Sequence, residues 1–146
     1  MVFGDNNDEV ILYDAGSEVE NGFGGVNINT GNGKVTFAEA GIYQVNVHGT
    51  VSGLFDMAGN GGFAELLVLY KPDGGSFTGT NIQARYEVTD VAQPTELQHI
   101  QLSASGLLDV AVNATIDLRV KANLINDTPE NEGYVQYAGI SIYKVA

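Results

Sequence analysis

From Ala114 to Leu124 the chain reads A-T-I-D-L-R-V-K-A-N-L, so that Ile116, Leu118, Val120, Ala122 and Leu124 alternate with Asp117, Arg119, Lys121 and Asn123. Successive side chains of a strand point to opposite faces. A period of two therefore predicts a β-strand with one face buried and one, Asp117 included, in water. Such a strand needs a sheet around it and a second layer over its apolar face, which constrains the fold more than any other stretch of the sequence.

Comparable runs recur at Val26 to Asn29, Val35 to Phe37, Ile42 to Val51, Phe63 to Tyr70, Ile82 to Val88, Leu97 to Leu102, Leu107 to Val112 and Tyr134 to Val145. Between them lie turn-forming clusters: Gly22 to Gly25, Asn32-Gly33, Asn60-Gly61-Gly62, Pro72-Asp73-Gly74-Gly75 and Asn131 to Gly133. Many short strands at this spacing predict an all-β, antiparallel sandwich or jelly roll. The best helix candidate is Phe63 to Leu69, but seven residues make a marginal helix and Val68 and Tyr70 run on into a K-P-D-G turn. It reads instead as a central strand buried on both faces. The acidic entry stretch and the loops around Gly59 and Thr128 are the segments expected to be flexible.

The length of 146 residues suits one domain, expected to span 1–146. Eighteen Asp and Glu against six Lys and Arg give a net charge of -12. A field of that sign repels phosphate, which argues against nucleic acid or an anionic membrane as partner. No run reaches the length of a membrane-spanning helix, so membrane insertion is not expected, and the first residues do not read as a secretory signal. Without cysteine there is neither a disulfide framework nor a thiolate metal site.

Catalytic chemistry finds little to work with. Nucleophilic catalysis needs Ser or Thr beside a His oriented by a carboxylate, yet the chain has only His48 and His99, neither near a G-x-S-x-G motif. His48 lies on the Gln44, Asn46 face of its strand, opposite Tyr43, Val45 and Val47, and is expected to meet solvent or a second subunit. His99 stands to Ile100 and Leu102 in the same way. The oxygen-rich run Asp5 to Glu9 and the loop with Asp127, Glu130 and Glu132 are where calcium, the one cofactor the sequence leaves open, would find carboxylates, although neither matches an EF-hand loop. Tyr43, Tyr70, Tyr86 and Tyr137 fall on apolar strand faces, which favours packing in a core or interface over sugar stacking. The sequons at Asn113 and Asn126 are what a chain rich in Asn and Thr produces by chance.

Four fragments, in this order, resemble one family. V-T-F-A-E-A-G-I-Y-Q-V-N-V (Val35 to Val47) is similar to the aromatic, then Gly-x-aromatic, segment of the globular head of complement component 1q and its tumour-necrosis-factor relatives. L-L-V-L-Y-K-P-D-G resembles the middle strand of those heads, A-T-I-D-L-R-V-K-A their later alternating strand, and Y-A-G-I-S-I-Y their closing strand. The final K-V-A is closer to bacterial members, such as the C-terminal head of collagen-like filaments on Bacillus spores. The resemblance implies a jelly roll of about ten antiparallel strands, with neighbouring termini, assembled as a homotrimer around an apolar axis. It places Phe37, Gly41, Tyr43, Tyr137 and Gly139 at framework positions that determine the fold.

The expected function is that of a non-enzymatic homotrimeric head for assembly, adhesion or recognition of a protein or glycan at a cell or spore surface. No catalytic or cofactor-binding residue is assigned. With -12 on each subunit, assembly is expected to tighten with salt or divalent cations. The alternative is a monomeric, calcium-assisted carbohydrate-binding β-sandwich in which exposed tyrosines stack on sugar.

Overall fold

The computed structural model describes residues 2–3, 9–11, 19–21, 25–29, 31–56, 62–87, 97–125 and 133–146. In chain order the strands are β1 (Val2–Phe3), β2 (Glu9–Val10), β3 (Val19–Asn21), β4 (Val26–Asn29), β5 (Lys34–Phe37), β6 (Gly41–Gly53), β7 (Phe63–Lys71), β8 (Thr78–Glu87), β9 (Gln98–Val110), β10 (Thr115–Ala122) and β11 (Gly133–Lys144). Among the described residues there is no helix. One sheet runs β1-β11-β6-β9, with β3 added on β11; the other runs β4-β5-β10-β7-β8, with β2 added on β10. From β5 onward the chain passes repeatedly between the two sheets, as in a jelly roll. All pairings are antiparallel except β3 on β11.

Eight strands have four residues or more, against the ten expected; β1, β2 and β3 are pieces of two or three residues. Much of the difference comes from β9, where the runs Leu97 to Leu102 and Leu107 to Val112 join into one strand of 13 residues. Ser103 to Gly106 looks like a break in sequence, but the inward face keeps its period through Leu102, Ala104, Gly106, Leu108 and Val110. Gly106 fits because Ile82 of the other sheet occupies the space of the missing side chain: a Cβ there would stand 3.0 Å from Ile82 Cγ1.

Between the sheets lies a core in which Phe37, Tyr43, Val45, Phe55, Leu66, Val68, Ile82, Ile116, Leu118, Val120, Ile140 and Ile142 are fully or almost fully buried. Each large side chain removed from water in this way stabilises the fold by roughly 1.5–3 kcal/mol. The segment from Phe37 to Tyr43 anchors one corner. The rings of Phe37 and Tyr43 meet edge to face with centroids 4.8 Å apart, and the Tyr43 hydroxyl donates to the Glu39 carbonyl at 2.9 Å. Burial pushes the Tyr43 phenol up from its ordinary pKa. Gly41 allows a close approach, since a Cβ there would lie 2.6 Å from the Ala146 carbonyl oxygen.

Three expectations are corrected. β7 lies between β10 and β8 as a central strand, but only its Ala64, Leu66, Val68 face is buried; Glu65, Leu67 and Leu69 are half-buried. The termini do not meet. Val2 pairs with Tyr134 near the start of β11, and the remaining run to Lys144 carries the chain end about 30 Å along the strand. Finally, Asp117 does not stand in water.

Although Asp117 occupies the outward face of β10, its side chain has no exposed surface. Arg119 donates to it twice, from Nε at 3.0 Å and from Nη2 at 3.2 Å, and the Lys34 ammonium lies 3.5 Å away. Phe77, from the loop between β7 and β8, folds back over this group. Its ring centroid is 4.6 Å from Lys34 Nζ, 5.0 Å from Arg119 Cζ and 5.9 Å from Lys71 Nζ. A carboxylate paired in this way can be buried at the surface of a sheet.

Candidate functional site

Among the described residues the outward face of the β11-β6-β9 sheet leaves large apolar side chains uncovered. β6 contributes Ile42, Gln44, Asn46, His48, Thr50 and Ser52. Directly opposite on β9 stand Asp109, Leu107, Ser105, Ser103, Gln101 and His99. On the other side β11 adds Tyr143, Ser141, Gly139, Gln136 and Tyr134. In a chain of net charge -12, these three strands place one carboxylate on this surface, Asp109, and neither Lys nor Arg; Glu20 of β3 is paired with Ser141 at its edge. The remaining positions are amides, hydroxyls, imidazoles and apolar or aromatic groups.

Two parts of the face differ. At one end Ile42, Leu107 and Tyr143 form an apolar corner in which Leu107 is 57% exposed. Toward the other end two adjacent depressions share Gln101: one of about 440 Å³, lined by His48, Gly49, Thr50, Gln101, Leu102, Ser103 and Tyr137, and one of about 280 Å³, lined by Tyr86, Gln98, His99, Ile100 and Gln101. Tyr137 rises beside the larger depression with 72% of its surface exposed. The cause is local. The β11 register shifts between Gln136 and Gly139, and Tyr137 takes a left-handed φ of 55°, which costs free energy in any non-Gly residue and recurs at functional positions.

His48 is exposed, as its place on the polar side of β6 predicts. Its imidazole lies over Gly139, where a Cβ would come 2.5 Å from Nε2. His99 is also exposed, and its Nδ1 sits 2.6 Å from the Ser52 hydroxyl. This is the only Ser–His contact among the described hydrogen bonds. Ser52 is only 3% exposed, so its oxygen has no approach to a substrate carbonyl, and the pair ties β6 to β9. Sequence reasoning missed Ser52 because the contact depends on β6–β9 register; only its position four residues after His48, on the same strand face, pointed to it.

The residues placed on the family framework separate into two groups. Phe37 and Tyr43 are buried together in the core and Gly41 packs against the chain end. Tyr137 and Gly139 lie at the open face. Of the tyrosines expected to pack, Tyr43 is buried and Tyr70 half-buried, whereas Tyr86 and Tyr137 are exposed on the subunit. The acidic runs considered for calcium, Asp5 to Glu9 and Asp127 to Glu132, lie outside the described residues apart from Glu9. Among the described residues no three His, Asp or Glu groups gather as a metal site.

No family profile and no curated protein matches the chain. Solved structures do. The fold is similar to that of a tumour necrosis factor, Eiger from S. frugiperda, with a TM-score of 0.51 at 14% identity over 83% of this chain and 69% of that one. The chain therefore has the jelly-roll sandwich fold of tumour-necrosis-factor-like proteins.

Proposed function

We propose that this chain is the head domain, spanning 1–146, of a non-enzymatic surface protein, and that it works as a homotrimer in which copies cover one another's β11-β6-β9 face. One observation carries the reading: a broad sheet face almost free of charge, with Ile42, Leu107, Tyr137 and Tyr143 exposed, on a chain that is otherwise strongly acidic. Depletion of charge and enrichment of aromatic side chains mark the centre of protein interfaces. The likeness to a tumour necrosis factor fold and the sequence resemblance support the number three. A cell or spore surface is the location the sequence resemblance favours, and a protein or glycan is its expected ligand, with several weak contacts on one rigid body adding up to useful affinity. Sedimentation equilibrium at micromolar concentration should give three times the chain mass. A monomer under these conditions would defeat the proposal.

A second reading has its own support: Tyr137 beside a neutral depression lined by hydroxyl and amide groups is suited to a sugar ring in a monomeric, carbohydrate-binding sandwich. In that case the protein stays monomeric and Tyr137→Ala removes glycan binding while leaving the mass unchanged.

A further inference from the structure

Four of the six basic residues of the chain, Lys34, Lys71, Arg119 and Lys121, stand on adjacent strands β5, β10 and β7 of the sheet opposite the proposed interface. Three of them surround one ring. Lys34, Arg119 and Lys71 lie 4.6, 5.0 and 5.9 Å from the Phe77 centroid, so any two are within roughly 11 Å of each other, about one Debye length at ordinary salt. Against these three cations the described residues set one carboxylate, Asp117, which Arg119 and Lys34 already engage. The next carboxylate along the face, Glu65, is held by Arg85 at 2.9 Å. Among the described residues the cluster is therefore short of negative charge, on a molecule that is globally rich in it.

We propose that this cluster is a binding site for an acidic sugar: a carboxylate or sulfate group seated among Lys34, Lys71 and the outer edge of Arg119, with the sugar hydroxyls turned toward neighbouring polar side chains. Two observations select that ligand class over other anions. Thr36 of β5 and Asn81 and Gln83 of β8, exposed hydrogen-bonding groups, flank the cations. None of the most exposed large apolar side chains lies on β4, β5, β7 or β10, and Tyr86 of β8 pairs with the inward-facing Ala64. The apolar side chains that β7 turns outward here, Leu67 and Leu69, are half-buried, so a docked peptide would find a weaker apolar anchor than the one that usually dominates such contacts, whereas a ligand made mostly of hydroxyl groups needs none. A densely charged polyanion is opposed by the net charge of -12; one acidic group on a neutral ring is not. The site does not depend on the oligomer, because it occupies the other sheet.

The test is titration of the whole chain with methyl β-D-glucuronide, followed by the backbone amide resonances of Lys34, Lys71 and Phe77. Saturable shifts are expected, with methyl β-D-glucoside giving none and acetate binding about tenfold more weakly. Lys71→Gln should weaken glucuronide binding about tenfold. This variant removes a side chain with no carboxylate partner among the described residues, and an unchanged melting temperature and mass would show the fold and assembly intact. Lys34→Gln provides a second reading of the same loss. Equal responses to acetate and glucuronide, tighter binding of an acidic peptide, or indifference to both substitutions would each overturn the proposal.

Discussion

The two sheets of this sandwich turn very different surfaces outward. The β11-β6-β9 face is broad, sparing in charge and dotted with exposed Ile42, Leu107, Tyr137 and Tyr143. On the β5-β10-β7 face charge is concentrated, and Phe77 lies over the cations that hold the fully buried carboxylate of Asp117. The first surface leaves apolar area open and gains by meeting a partner. The second covers its own carboxylate and leaves its cations partly open. Net charge is a poor guide to either, since among the described residues the three strands of each face carry few carboxylates: Asp109 on one, Asp117 and Glu65 on the other.

The contrast can be broken most strongly at Leu107. Placing a carboxylate in the apolar corner of the β11-β6-β9 face, Leu107→Glu, should cost association about 2 kcal/mol or more per contact, seen as a fall in mass by sedimentation with the far-ultraviolet circular dichroism unchanged. Asp117→Ala should do the opposite, leaving mass intact while lowering stability by about 2 kcal/mol in urea unfolding. The loss stays moderate because Arg119 and Lys34 are 23% and 40% exposed and can turn to solvent. Phe77→Ala should cost about 1 kcal/mol, a deficit that shrinks in high sodium chloride, whereas assembly of the acidic subunits tightens under the same salt.

The smallest expected effect lies in the core that both sheets share. Burial raises the Tyr43 pKa above its unfolded value of about 10. The neutral phenol is favoured in the folded chain, so this contribution is fully present below about pH 10 and is lost as pH rises through the folded pKa. Tyr43→Phe, compared with the parent by thermal melting across that range, should show a shallower alkaline decline.

Much of the architecture was legible in the sequence because it rests on period-two burial, which survives without knowledge of partners. The alternation of β10 and the Phe37 to Tyr43 corner are of this kind. What escaped depends on contacts between distant strands. Asp117 has the sequence environment of a wet position, and nothing local announces that Phe77, forty residues earlier, will close over it. Gly106 reads as a break until Ile82 is seen in its place. Tyr137 reads as an inward residue until the register shift turns it out. The open face itself was anticipated only at His48 and His99; its extent required the pairing of three strands.

Ile82 in the notch left by Gly106 also has a mechanical meaning. Two twisted layers held by side-chain packing alone can slide past one another by small steps, and a branched side chain seated in a gap one residue wide works as a dowel against that shear. It keys the β8 rim to the β9 rim, so a load applied to either outer surface reaches the other through one rigid body. Widening or blocking that slot would leave both surfaces present but no longer aligned.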